Sequence, residues 1–289
     1  MKLITQTEFL GKRYGEKEAV KMICEAGFDA IDYSMFAMKD EPDYVLNQPG
    51  YKNHLKELRD IASSYGVTFD QAHSPFPPMR VGDIEYSSMM WPKILRSIEC
   101  AGLLGVEIIV VHPIYTPKNC FETNMEMFHS LEYYAKESGV KIALENMWGT
   151  DKNGKKFPNV CSTAEDFNRY VDALNPDVFT ACLDLGHIGL VGENAPEMIK
   201  KMGSRIACLH VHDNNGIDDS HTLPYTMSMD FKEILTALGE VDYKGNLTFE
   251  ADHFFGRLPY ECVESGLKFM EEIGRAMIRR FEIYKNEND

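Results

Sequence analysis

Four largely apolar runs in this sequence stop on a side chain that can ligate a metal. Ala143-Leu144 ends on Glu145, Thr180-Ala181-Cys182-Leu183 on Asp184, Ile206-Ala207-Cys208-Leu209 on His210, and Leu247-Thr248-Phe249 on Glu250. Each run reads as a buried strand, so each ligand falls at a C-terminal strand tip. Three carboxylates and one imidazole form an oxygen-rich donor set for one divalent ion, and Mn, Mg, Co and Zn all suit it. Other histidines stand in comparable places. His73 and His112 end earlier strands, and His187, His212 and His221 lie in loops behind the ligand strands, whereas His54, His129 and His253 have no such context. A purely structural role for Glu145 and Glu250 would be an ion pair at a barrel rim; the repetition at four strand ends favours ligation.

These tips meet only if the strands lie side by side, and the order of segments supplies that. A strand at 3–6 precedes a helix at 15–26 with Ala19, Val20, Ile23 and Cys24 on one face. Then come a strand at 28–33, a helix near 51–65, a strand at 67–72 leading to His73 and a helix at 85–104. The run 106–111 leads to His112, and a helix at 124–137 precedes the strand that ends on Glu145. Strands from Val178, Arg205 and Gly245 bring the count to eight. Gly27, Gly66, Gly105 and Gly139 each stand between a helix and a strand, spaced by 39, 39 and 34 residues, a weak βα repeat with left-handed helix caps. Continuous apolar strands alternating with amphipathic helices predict a parallel sheet sheathed by helices. Eight such units predict a (β/α)8 TIM barrel of the α/β class. The reading is one domain over residues 1–289, with a frayed tail at 280–289. The long final helix, 259–284, is a candidate interface for a homodimer or homotetramer. Two polar excursions, 149–160 and 212–229, follow ligand strands and so lie on the face where barrel sites are built.

Composition narrows the partners. With 289 residues and 44% hydrophobic content, the chain can bury one large core. A formal net charge of -15 argues against nucleic acid, whose phosphates need neutralising. No run of about 18 apolar residues is present and the apolar start is too short for a signal peptide, so a cytoplasmic protein without a membrane span is expected. The seven cysteines are scattered without a C-x-x-C pair, as expected of reduced thiols. Cys182 and Cys208 stand two residues before ligands and share their inward face, where they read as small core residues.

Taken in order, Glu145-Asn146, Asp184-Leu185-Gly186-His187, His210-Val211-His212-Asp213 and Glu250 make the chain resemble the xylose-isomerase-like superfamily of barrels along essentially its whole length. That superfamily holds sugar isomerases and epimerases, inosose dehydratases and type IV apurinic endonucleases. In its ketohexose epimerases and isomerases, residues matching Glu145, Asp184, His210 and Glu250 hold one divalent metal ion. The matching glutamates also move protons on opposite faces of the sugar, and the residue matching His187 contacts a substrate oxygen. Physically, a cation on adjacent carbonyl and hydroxyl oxygens stabilises an enediolate, and a carboxylate on each face removes or returns a carbon-bound proton. The resemblance thus implies a metal-dependent isomerase or epimerase of a small sugar or polyol. One position departs: those epimerases place an arginine six residues after the metal histidine, where this chain has Gly216, so no particular sugar carries over.

The endonuclease members imply an alternative, a multi-zinc phosphoesterase with two or three zinc ions. His73, His112 and Glu145 match the first of their sites; Glu145, Asp184, His210 and Glu250 match the second; His187 with Asp219-Ser220-His221 matches the third. Against it stand the net charge and the lack of Arg- or Lys-rich loops at the strand ends. In sugar-handling members, histidines resembling His73 and His112 contact substrate instead, and His212 is a candidate for either role. Trp91 and Trp148, with Phe76, Tyr115 and Tyr225, are candidates to stack on the apolar face of a sugar ring.

Overall fold

The computed structural model describes residues 1–288. Eight parallel strands form one sheet: β1 (Leu3–Gln6), β2 (Ala30–Ser34), β3 (Thr68–His73), β4 (Ile108–Val110), β5 (Lys141–Glu145), β6 (Phe179–Asp184), β7 (Ile206–His210) and β8 (Leu247–Phe249). Sequence neighbours are sheet neighbours, and β8 returns to pair with β1 at Leu3 and Leu247. A bridge from Val211 to Phe249, with Val211 N donating to Thr248 O at 2.9 Å, brings β7 against β8. The sheet is thereby all but closed into a single-domain (β/α)8 barrel.

The strands are largely buried because both of their faces are covered. Every residue of β1 and of β6 is buried, as a parallel strand between a lumen and an outer ring of helices requires. The predicted glycine caps are in place: Gly27, Gly105 and Gly139 end their helices at φ +103°, +81° and +68°, a conformation that costs a residue with a Cβ about 1–2 kcal/mol.

Inside the barrel the filling has two characters. Ala143, Cys182 and Cys208 lie two residues below Glu145, Asp184 and His210, and with Val110 they form a small apolar cluster apart from the main core. The two cysteines are therefore filler, and neither joins a potential metal-donor group. Elsewhere in the lumen the side chains are polar: Thr248 Oγ1 donates to Gln71 Oε1 at 3.1 Å and Gln71 Nε2 to Asp32 Oδ2 at 3.3 Å.

Three features differ from the sequence reading. A helix at Glu8–Tyr14 precedes the expected one, which starts at Glu16 after Gly15. The charged excursion after Glu145 is an antiparallel hairpin, Trp148–Thr150 against Lys156–Pro158. Its tip is folded by Asp151 Oδ1, which accepts from the backbone N of Asn153 and Lys155 at 2.8 and 2.9 Å. The final helix runs from Val263 to Asn288. Phe281 is buried and Lys285 pairs with Asp242 at 2.6 Å, so the segment read as frayed is helical as far as Asn288, and Asp289 lies outside the described residues. No helix among the described residues is long and apolar enough to cross a membrane.

Candidate metal centre

One donor atom from each of Glu145, Asp184, His210 and Glu250 lies within 4.8 Å of the other three, and all four residues are buried. His210 Nδ1 stands 2.8 Å from Glu145 Oε1, 3.2 Å from Glu250 Oε2 and 4.0 Å from Asp184 Oδ2. Local structure aims each group. Asp184 caps the helix Leu185–Leu190 by accepting from His187 N through Oδ1 at 2.8 Å, which leaves Oδ2 for the centre. Asn146 locks the tips of β5 and β6 together, accepting from Asp184 N at 2.8 Å and donating to Asp184 O at 2.9 Å. Gln6 Nε2 donates to Glu250 Oε1 at 2.9 Å and frees Oε2. Neither Asn146 nor Gln6 was assigned a role from sequence, because each acts on a partner far away in the chain.

Three further donor groups overlap or adjoin this one: His73 with His112 and Glu145, His73 with His210 and Glu250, and His187 with His212, Asp219 and His221. Three of these histidines share one device. Nδ1 of His73, His187 and His221 donates to the carbonyl of Ser74, Asn146 and Glu250, at 2.8, 2.8 and 2.9 Å. That fixes the tautomer and turns Nε2 towards the carboxylates, as in histidines that hold a metal. The loop after β7 delivers Asp219 because Asp213 pins it, accepting from Met227 N and Met229 N at 2.8 and 3.1 Å. Trp148 Nε1 then donates to Asp219 Oδ2 at 3.2 Å. His253, which had no context in the sequence, sits in the turn after Glu250 with its ring 5.3 Å from that of His221. Its place in the loop behind β8 was the available signal.

The electrostatics suit a cation. Burial opposes the charge of Glu145, yet His210 and His112 hold it well below the usual carboxylate range. Asp184 is likewise lowered against burial, by His187 and His212. The histidines supply the positive charge in the chain by itself: against burial, Asp184 and Asp219 raise His187 to about 10. Glu250 and Glu145 similarly hold His210, and Asp219 and Glu250 hold His221, well above 6.5. Meanwhile Glu145 Oε2, Asp184 Oδ2 and Asp219 Oδ1 accept no hydrogen bond among the described residues. His112 Nε2 lies 2.7 Å from Glu145 Oε2 and makes its hydrogen bond to His73 Nε2 at 3.0 Å. Buried anionic oxygens without donors, facing histidines that must otherwise carry protons, fit a divalent ion.

A stability prediction follows from these shifts. A histidine with a folded pKa above its unfolded value stabilises the fold fully below about 6.5 and loses that contribution as pH rises through the folded value. The chelated protein is therefore expected to lose thermal stability between pH 6.5 and about 10. Zinc is expected to remove most of that loss, since a metal-bound histidine needs no proton. Melting curves with chelator and with zinc across this range check it, and a chelated protein of constant Tm would contradict it.

Residues 20–273 match the sequence model of the family described as xylose isomerase-like TIM barrel. The chain belongs to this family. Relatives of this xylose isomerase-like barrel include an uncharacterized protein of Methanocaldococcus jannaschii, 29% identical over 244 residues that cover 80% of this chain and 78% of that protein. Inosose dehydratase 2 of Bacillus cereus is 27% identical over 192 residues, 59% of this chain and 60% of that protein. Among solved structures, an IOLI protein with a bound zinc atom aligns at a TM-score of 0.77 and 19% identity, covering 97% of this chain and 99% of its own. A D-tagatose 3-epimerase-like protein aligns at 0.70 and 23% identity, covering 94% and 99%. At these identities the structural likeness is one of fold.

In this xylose isomerase-like barrel the glycine of Asp184-Leu185-Gly186-His187 has a steric reason. A Cβ on Gly186 would lie 2.0 Å from His212 Cε1 and 2.4 Å from its Nε2. The ring is poorly placed to yield, since Nε2 stands 3.1 Å from Asp184 Oδ1 and the imidazole stacks on His221 at 4.1 Å. Gly186→Ala is expected to cost about 1–3 kcal/mol by overpacking; wild-type stability in denaturant unfolding would show that the ring moves freely. Gly216 takes φ +73°, so an arginine there would be strained and the departure is built into the loop.

The aromatic candidates divide. Phe76 stacks on His112 at 4.5 Å, and with Tyr115, Ile114 and Met79 it lines a cavity of about 430 Å³ beside His112. Trp148 belongs to the site through Asp219. Trp91 packs against the core from the helix Ile84–Leu104, and Tyr225 packs on Phe231 at 5.2 Å beneath Arg280. Neither of those two is brought to the centre.

Proposed function

We propose that this chain is a divalent-metal-dependent isomerase or epimerase of a small sugar or polyol. The observation that carries the proposal is the buried four-donor group of Glu145, Asp184, His210 and Glu250, with Asp184 anchored by Asn146 and Glu250 by Gln6. An inosose dehydratase, a tagatose epimerase-like protein and a zinc-holding protein among the relatives support a polyhydroxylated substrate and a metal. The adjoining cavity of about 430 Å³ is of small-molecule size.

Bound at the four donors, a divalent cation would polarise a carbonyl and the hydroxyl beside it. The chain's own part is proton transfer. Glu145, kept ionised chiefly by His210 in spite of burial, is one carboxylate able to take a proton from carbon. Glu250, anchored by Gln6, is the other, and returns it. His187, with Nδ1 fixed on the Asn146 carbonyl, offers Nε2 to a substrate oxygen. Proton removal beside a carbonyl opens isomerisation and epimerisation alike, and dehydration as well.

A second reading, a multi-zinc phosphoesterase, is favoured by one observation: the groups around His112 and His221 adjoin the central one, and Glu145 belongs to two groups at once. Elemental analysis of protein purified without added metal or chelator separates the readings. About one divalent ion per chain, with solvent deuterium entering a ketose at carbon, supports the isomerase. Two or three zinc ions with cleavage of abasic DNA support the phosphoesterase, and a metal-free protein that neither exchanges deuterium nor binds added metal sinks both.

A further inference from the structure

Asp32 is a fully buried carboxyl in the barrel lumen that belongs to none of the donor groups. Its Oδ2 accepts from Gln71 Nε2 at 3.3 Å, and Gln71 Oε1 in turn accepts from Thr248 Oγ1 at 3.1 Å. Three strands, β2, β3 and β8, thus hold one side chain, and the direction of the amide makes Asp32 an acceptor. Asp32 Oδ1 has no partner among the described residues. Facing it is His210, whose Nε2 lies 3.7 Å from Asp32 Oδ2 and has no hydrogen bond among the described residues. A buried carboxyl with an oxygen left unpartnered is costly unless it has a task.

The task follows from how His210 differs from its neighbours. His73, His187 and His221 donate Nδ1–H to main-chain carbonyls and present Nε2. His210 is turned round: Nδ1 faces Glu145 and Glu250, and Nε2 points into the lumen. No main-chain carbonyl sets its tautomer, so a side chain must. We propose that Asp32 is the positioning residue for His210, accepting its Nε2–H and thereby fixing Nδ1 as the nitrogen that ligates. This rests on the metal reading of the four-donor group. Asp32 also raises the basicity of the imidazole and adds negative charge behind the ligands, as carboxylates behind metal-bound histidines do.

Two measurements on the full chain test this, with zinc as the probe. Long-range 15N–1H spectra of the zinc-loaded wild type are expected to show His210 with Nε2 protonated and Nδ1 on the metal. In Asp32→Asn, zinc affinity by competition with a chromophoric chelator is expected to fall about 10–100-fold, with the melting temperature of the chelated protein little changed and the His210 resonances shifted. Wild-type affinity and an unshifted His210 in that variant would overturn the inference while leaving the metal reading in place. So would a wild-type spectrum with Nε2 on the metal, which decides the matter even if the variant does not fold. Failure of the wild type to bind zinc would remove the metal reading and this inference together.

Discussion

Turnover by the Glu250→Gln protein is expected to fall by about 10²–10⁴-fold or beyond detection, with the fold intact. Glu250 is 7% exposed, its Oε1 accepts from Gln6, and its Oε2 faces His210 Nδ1 at 3.2 Å. A glutamine fills the same volume and its carbonyl oxygen still accepts from Gln6, so packing gives no reason for unfolding. What disappears is an anionic donor to the centre and a group able to take up a proton near neutral pH. Metal content measured on the same sample separates those losses. Full metal with no deuterium exchange at carbon would assign Glu250 to proton transfer; parallel loss of metal and turnover would assign it chiefly to ligation. Near wild-type turnover would end the role given to it here.

Glu145→Gln is expected to have the wider effect. Glu145 joins His73 and His112 on one side and Asp184, His210 and Glu250 on the other, so one substitution removes a donor from both groups. His112 and His210 also lose the carboxylate that each faces, at 2.7 and 2.8 Å. Metal affinity is expected to drop by about 100-fold or more, beyond the loss typical when only a supporting residue is changed. Turnover should vanish with it. The contrast with His112→Gln is informative: an unchanged metal count there would make His112 a substrate contact, whereas loss of one ion would favour the multi-zinc reading. Wild-type metal affinity in Glu145→Gln would remove the residue that both readings share.

The barrel was legible because its strands are short, mostly apolar runs and several of its helices end on glycines, both local signals. The four-donor group was legible for a related reason: a charged or imidazole side chain that stops an apolar run has few places to be except a strand tip. What did not show was everything that depends on a distant partner. Asp32 lies within its strand with no sequence cue to His210, and the amide of Asn146 reads as an ordinary polar residue until Asp184 is placed against it. The hairpin after Glu145 escaped because its strands are three residues each and carry no alternation. The aromatic candidates rest on residue type, and Tyr225 and Trp91 show how little that says about which way a ring turns.

Trp148 gives the protein an optical reporter of its own. The chain has two tryptophans, and Trp91 packs against the core on its helix. The indole of Trp148 is bonded to Asp219 and lies under the Lys156 ammonium at 3.7 Å. Any event that redraws the charge on Asp219, whether an arriving ion or an anionic ligand, changes the field across that ring. With Trp91 replaced by phenylalanine, the remaining emission becomes a label-free readout of the His187–Asp219–His221 corner, and of whether the lysine-bearing hairpin stays seated while the corner fills.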